Sequence, residues 1–486
     1  MKGKNWAVGL AALGTCAMLS GCAMLSGSRN AESQTEGEST LVESSVEETQ
    51  KPELPPPDKI EPFPNAKKKE KAEPLKGGTR AVIMTDIHYL ASSLTDMGPG
   101  FLNMVEHGDG KLTNYVWEIT DAAFEQIQLE SPDVLILSGD LSLEGEKKSH
   151  EELAGKLELL EQAGVTVVVI PGNHDINNPS ASVYQGDERY PAEPVSPEDF
   201  ARIYNEFGYR EALSRDPASL SYTYDLGPSM RLMMLDTCQY SSKNKVGGMI
   251  KTETYEWIAE QLKQARKDAV AILPVGHHNL LDQSKVYVGD CTIEHSEELI
   301  QMLEAENIPL FISGHLHVQH FMQHEDIGIY EIVTSSLTTP PCQYGILEYM
   351  EDDSFHYRTQ AVDMEGWARG KQSQDENLLN FNTYSPSVLK RIFFNQAYDA
   401  MKNSKDAERG SVYVKLTEQE KEQMSEVYAN LNAASYGGKA YEAVAQEIKK
   451  PGYGLWKEYG YPMVLFEHLE YVVEDAVRDY NVLNVD

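Results

Sequence analysis

The chain has 486 residues, 41% of them hydrophobic, which is enough apolar material for more than one folded domain. Its 42 basic residues stand against 76 acidic ones, a net charge of −34. A field of that sign disfavours docking on long polyanions, so no nucleic-acid polymer is expected as a partner, while oligomeric state is left open.

The amino terminus opens Met1-Lys2-Gly3-Lys4 and continues as an apolar stretch from Trp6 to Leu19, the pattern of a secretory signal and too short for a spanning helix. It ends Leu19-Ser20-Gly21-Cys22, which resembles a bacterial lipobox. That resemblance implies cleavage before Cys22, acylation of its thiol, and an exported protein held to the membrane of the cell envelope through lipid. An ordinary signal cleaved nearby, or an uncleaved anchor, is the alternative. Residues 23–78 are rich in Ser, Thr, Glu, Pro and Lys and read as a tether that cannot bury a core. Cys238, Cys291 and Cys342 remain in the body of the chain, odd in number and widely spaced, so no disulfide is expected.

Beyond residue 78, strand-like and helical runs alternate, and short polar segments sit at strand ends. Ala81–Thr85 leads into Asp86-Ile87-His88. Val134–Ser138, after a helical Leu112–Leu129, leads into Gly139-Asp140. Val165–Ile170, after a helical His150–Ala163, leads into Gly172-Asn173-His174-Asp175. A helix over Pro197–Phe207, a strand over Leu232–Asp236 and a helix over Thr254–Lys267 follow. Val270–Val275 then ends in His277-His278, and Pro309–Ser313, after a helical Ser296–Glu306, ends in Gly314-His315-Leu316-His317. Gly328–Val333 and Gln343–Met350 add strands. The pattern predicts an α/β sandwich of two packed sheets with outer helices over residues 79–355. Ala91–Lys111 and Asn177–Pro194 are long loops beside these segments, either setting specificity or serving as plain linkers. From 356 to 486 the periodicity turns helical: Pro386–Met401, Thr417–Leu431 with a capping box at its start, Lys439–Ile448 and Pro462–Tyr480. A helical domain packed on the catalytic one accounts for this better than a separate binding module.

Taken singly, each polar segment is a turn or a cap. Together they place Asp, Asn and His, ligands suited to Mn, Fe or Zn, at the carboxyl ends of five strands, where open α/β sheets bind their ligands. Their order and wording resemble the calcineurin-like metallophosphoesterases, over roughly residues 79–350, with the bacterial class III cyclic-nucleotide phosphodiesterases the nearest group. Leu143 stands where purple acid phosphatases place a tyrosine, and Gly139-Asp140-Leu141 and Asp175 depart from the protein phosphatases. The resemblance implies two divalent ions. Asp86, His88, Asp140 and His317 would hold one and Asp140, Asn173, His277 and His315 the other, with Asp140 shared. It implies that His174 protonates the leaving oxygen or stabilises phosphoryl charge, that Asp175 orients the His174 ring, and that Asn173 and His278 meet the substrate. The activity it implies is hydrolysis of a small phosphorylated substrate by a hydroxide held between the ions. A phosphodiester such as a cyclic nucleotide is the first expectation, a phosphomonoester or nucleotide the second, and a non-catalytic binding lipoprotein the third.

Overall fold

The computed structural model describes residues 75, 78–227, 230–241, 244–286, 289–402 and 415–485. Cys22, the signal and nearly all of the tether lie outside the described residues.

Fifteen strands are present among them: β1 (Thr79–Met84), β2 (Val134–Ser138), β3 (Thr166–Ile170), β4 (Ser182–Gln185), β5 (Glu188–Pro191), β6 (Ser214–Arg215), β7 (Tyr222–Asp225), β8 (Met230–Met234), β9 (Ala271–Val275), β10 (Leu310–Ser313), β11 (His320–Gln323), β12 (Tyr330–Val333), β13 (Gln343–Tyr349), β14 (Phe355–Ala361) and β15 (Val482–Val485). Two large sheets result, ordered β15-β14-β13-β1-β2-β3 and β11-β12-β10-β9-β8-β7-β6. Val, Ile and Leu fill β1, β2 and β3 because these strands are parallel and covered on both faces. Val82, Ile136 and Val168 of the first sheet share one buried cluster with Leu232, Leu273 and Ile312 of the second. The helices Thr252–Asp268 and Ser296–Ala305 cover the outer face of the second sheet through Ile258, Leu262, Leu299 and Leu303 against Met233, Ile272 and Phe311. The expected two-sheet sandwich is therefore the observed one.

Parallel register carries the ligand segments to one edge. Met84 pairs with Leu137 and Ser138 with Ile170, so the turns after β1, β2 and β3 emerge side by side. In the second sheet Val275 pairs with Ile312, and the turns after β9 and β10 emerge facing them. Backbone bonds lace the turns together: Asp86 N–H donates to Gly139 O at 3.0 Å and Gly314 N–H to His277 O at 3.0 Å.

Several features depart from the sequence expectation; Ala91–Lys111, expected as a loop, holds the helix Pro99–Glu106. Phe355–Ala361 is a strand, so the first sheet runs across the boundary expected at 355/356, and the last residues return as β15 beside β14. Pro462–Tyr480 is not one helix: Val464–Asp475 is helical, and the chain then turns into β15. Pro451–Tyr459 is an additional helix, with Pro451 in its first turn and Trp456 buried, donating from Nε1 to Met424 O at 2.7 Å. It packs with Phe381–Lys402, Glu418–Tyr436 and Val464–Asp475 around Met424, Leu431, Leu465 and Leu469. The capping box at Thr417 and Glu420 is formed as expected. This helical unit lies on the sandwich, where His320 Nε2 meets Asp475 at 3.1 Å and Tyr471 donates to Gln283 O at 2.6 Å. Cys238, Cys291 and Cys342 are buried and unbridged. No described helix is long and apolar enough to cross a membrane.

Candidate metal centre

Each ligand turn is tight. Asp86, His88, Asp140, His315 and His317 all take positive φ, between 48° and 71°, a conformation costing about 1–3 kcal/mol for a residue with a Cβ and tolerated best by Asp, Asn and His. The glycines of these motifs are required by closeness: a Cβ on Gly172 would lie 2.1 Å from Asp140 N, and one on Gly314 2.1 Å from Thr85 Oγ1. Larger residues would push the loops, and the ligands with them, apart.

The ligand atoms converge in two buried groups. Asp86, His88, Asp140 and His317 offer atoms within 4.8 Å of one another, as do His277, His278 and His315. His88 Nε2 and His317 Nε2 are 3.0 Å apart, and His317 Nε2 is 3.4 Å from Asp86 Oδ1, a buried oxygen with no hydrogen bond. Two imidazole nitrogens and an unpartnered carboxylate oxygen turned on one point are a donor set that a divalent cation fits. On the other side, His277 Nε2 lies 3.1 Å from Asn173 Oδ1 and 3.4 Å from Asp140 Oδ2. Asp140 Oδ2 also lies 3.7 Å from His88 Nε2 and 3.9 Å from His174 Nε2. One oxygen thus faces both groups, as the shared-ligand expectation requires, while Oδ1 is occupied by the His174 N–H at 2.8 Å.

Backing contacts fix which ring atom each histidine presents. His277 Nδ1 donates to Ser138 O at 2.9 Å and His315 Nε2 to Asp290 O at 3.0 Å, which turns the other nitrogen of each inward. The His277 loop is itself held by Glu331, whose buried carboxylate accepts from Leu280 N, Leu281 N, Gln283 Nε2 and Ser313 Oγ. His150 bridges Asp175 O and the Tyr204 hydroxyl and has a packing role.

Two assignments need correction. Asp175 does not orient the His174 ring. Its oxygens accept from Gly172 N, Leu141 N, Ser142 N and Ser142 Oγ, locking the second and third ligand turns together. The His174 ring is oriented by Glu144: Nδ1 lies 3.2 Å from Glu144 Oε2 and 3.1 Å from Leu143 O. His278 is fully buried with both nitrogens engaged, Nδ1 with Thr237 Oγ1 at 2.7 Å and Nε2 with Val246 O at 2.8 Å, so no ring atom is left for a substrate. It walls the site instead, its ring 4.6 Å from that of His315.

Other members of the site had no motif to announce them. Asp109 Oδ2 lies 3.4 Å from His317 Nδ1, and Lys111 Nζ 3.1 Å from the same oxygen. Both come from the end of the first long loop. That loop packs on the second: Gly100 N–H donates to Gly186 O at 2.9 Å, and Asp96 accepts from Gly186 N at 2.8 Å. The second loop is the β4–β5 hairpin.

Burial and mutual charge set the protonation pattern. Burial would raise the Asp140 carboxyl, but His277 and His174 outweigh it and hold Asp140 well below the usual range. Burial pulls His277 down, yet Asp140 and Asp86 push it up to about 9, whereas burial and its neighbour His277 bring His315 to about 4. His174 is held well above its ordinary value, with burial opposing and Asp140 and Glu144 prevailing. The metal-free site therefore carries a proton on His277 at neutral pH. Manganese loading should release at least one proton, and affinity should fall as pH falls and protons compete. Calorimetry in two buffers of different ionisation enthalpy reads this directly; identical heats would mean that His277 is already neutral.

Residues 79–319 match the family model described as calcineurin-like phosphoesterase, and residues 363–479 match the C-terminal domain of cyclic nucleotide phosphodiesterase. The protein is a calcineurin-like metallophosphoesterase. As such it is a metal-dependent phosphoester hydrolase whose Asp and His cluster is compatible with two ions. The metallophosphoesterase is 25% identical over 46% of its length to a probable cyclic nucleotide phosphodiesterase of Psychrobacter arcticus, the match covering 68% of that protein. A second probable cyclic nucleotide phosphodiesterase, from Synechococcus, is 24% identical over 42% of the chain and 64% of the relative. Among solved structures, a dimetal phosphatase from Danio rerio aligns with a TM-score of 0.42 at 13% identity, over 59% of this chain and 97% of that one.

Proposed function

We propose that this metallophosphoesterase is an exported, lipid-anchored phosphodiesterase that binds two divalent ions and hydrolyses small phosphodiesters, with cyclic nucleotides the first candidates. The observation that carries the two-ion reading is Asp140 Oδ2, which faces His277 of one ligand group and His88 of the other. The names of the relatives and the match to a cyclic nucleotide phosphodiesterase C-terminal domain support the diester over the monoester.

When bound, two such ions supply Lewis acidity and a nucleophile at neutral pH. The protein's own residues do the rest. His174 keeps Nδ1 toward Leu143 O and Glu144 and so offers Nε2 to the leaving oxygen, with Glu144 as the anion that favours a proton on the ring. Asn173 holds its amide beside His277, at the position that would contact both an ion and a phosphoryl oxygen.

The test is a hydrolysis panel with manganese: bis-p-nitrophenyl phosphate, p-nitrophenyl phosphate, cyclic nucleotides and nucleoside monophosphates. Turnover of the diesters ahead of the monoesters is expected; monoesters cleaved faster would overturn the diester assignment. For the anchor, Cys22→Ala should leave the protein unprocessed or unattached. A mature mutant that still partitions with the membrane would refute lipidation at Cys22.

A further inference from the structure

We propose that Lys111 binds a non-bridging oxygen of the substrate phosphoryl group and supplies fixed positive charge that the two ions cannot; the inference rests on the phosphoesterase reading above.

Charge balance is the first argument. Four carboxylates border this site: Asp86 and Asp140 among the ligands, Asp109 against His317, and Glu144 against His174. Together they match the charge of two divalent ions. An anionic phosphoester entering a chain of net charge −34 would then meet little residual attraction from the ions alone. The remaining positive groups here are the His174 ring and Lys111.

Geometry is the second. Lys111 Nζ sits 3.1 Å from Asp109 Oδ2, which itself lies 3.4 Å from ligand His317. Its charge reaches His88 and His174 as well as Glu144 and Asp140, so it shares one electrostatic neighbourhood with the ligands and His174. The lysine side chain is 10% exposed, so its ammonium is largely shielded while keeping an opening to solvent. Asp109 is an ion-pair partner without a hydrogen bond to the ammonium, so the N–H directions of Lys111 remain for a ligand.

The third argument is that the turn is held in place. Gly110 has φ +103°, and a Cβ there would lie 2.3 Å from Leu389 Cδ1 of the helix Phe381–Lys402. Leu112 N–H donates to Thr338 O at 2.8 Å on the next residue but one. The helical domain thus presses on the turn that carries Asp109 and Lys111, which gives that domain a part in building the substrate side of the site.

The experiment uses the full chain loaded with manganese. Lys111→Met and Lys111→Gln should keep manganese stoichiometry. They should weaken inorganic phosphate, measured by calorimetry and as a competitive inhibitor of bis-p-nitrophenyl phosphate hydrolysis, by about 10–100-fold, the range for loss of one charge-assisted hydrogen bond. Lys111→Arg, which keeps the charge, should stay within a few-fold of wild type. Unchanged phosphate affinity in the Met and Gln variants would overturn the proposal. So would loss of manganese in them, which would make Lys111 a positioning residue acting through Asp109 on His317. A wild-type protein that binds phosphate through Lys111 but hydrolyses nothing in the panel would defeat the hydrolase reading and leave this one standing.

Discussion

Asp140→Asn should lower metal occupancy on both sides of the site together. The asparagine oxygen can still accept the His174 N–H, as Asp140 Oδ1 does at 2.8 Å, so the turn is preserved. What disappears is the charged Oδ2 that His88 faces at 3.7 Å and His277 at 3.4 Å. Removing only a backing residue of a metal site costs about 10–100-fold in affinity, and a shared ligand should cost at least that at each ion. Turnover should fall at least about 10³-fold, because metal-derived charge stabilisation is worth several kcal/mol and 1.36 kcal/mol is a factor of ten. Elemental analysis of manganese-loaded protein decides the matter. If only one ion were lost, Asp140 would serve a single group and the shared-ligand reading would fail.

His174→Ala should do the opposite: keep both ions and lose catalysis. His174 Nε2 is 3.9 Å from Asp140 Oδ2, yet the ring is committed through Nδ1 to Glu144 and Leu143, outside both ligand groups. The expected loss is ~10²–10⁴-fold for substrates with a poor leaving group, the usual contribution of a positioned acid, and much less for p-nitrophenyl esters, whose leaving group hardly needs a proton. Glu144→Gln supplies the matching pH test. Since Asp140 and Glu144 together hold His174 well above its ordinary value against the opposing effect of burial, removing one anion should lower it. The alkaline limb of kcat, where His174 gives up its proton, should then move to lower pH. Equal losses for good and poor leaving groups would reduce His174 to a stabiliser of phosphoryl charge.

The ligands were legible because each sits in a short contiguous motif at the end of an apolar run, and parallel register brings strand ends together without any further instruction. Asp109, Lys111 and Glu144 carry no such signal. Glu144 lies inside the segment that follows Gly139-Asp140, but only the fold shows that the turn brings it under the His174 ring. The role that the resemblance implies for Asp175 fails on geometry. Successive residues point different ways, and Asp175 turns back to the loop amides. The substrate contact that the resemblance implies for His278 fails likewise, because its partner atoms lie on residues 237 and 246. The strand Phe355–Ala361 alternates only weakly, with Phe355 and Tyr357 inward and His356 and Arg358 outward, and Val482–Val485 is too short to announce itself. The helix Pro451–Tyr459 was hidden by Pro451, Gly452 and Gly454, which read locally as a turn until Trp456 finds the helical core.

The first sheet draws its strands from residue 79 to residue 485, and its outermost member, β15, is synthesised only after the whole helical unit that separates it from β14. A nascent chain that already holds β1, β2, β3, β13 and β14 still presents the open hydrogen-bonding edge of β14, a template for wrong pairing. Closure of that sheet thus waits on the helical unit between β14 and β15 and spans nearly the whole described sequence. That is the pattern of a slow-folding, high-contact-order topology, and it favours a chain kept unfolded until β15 is available.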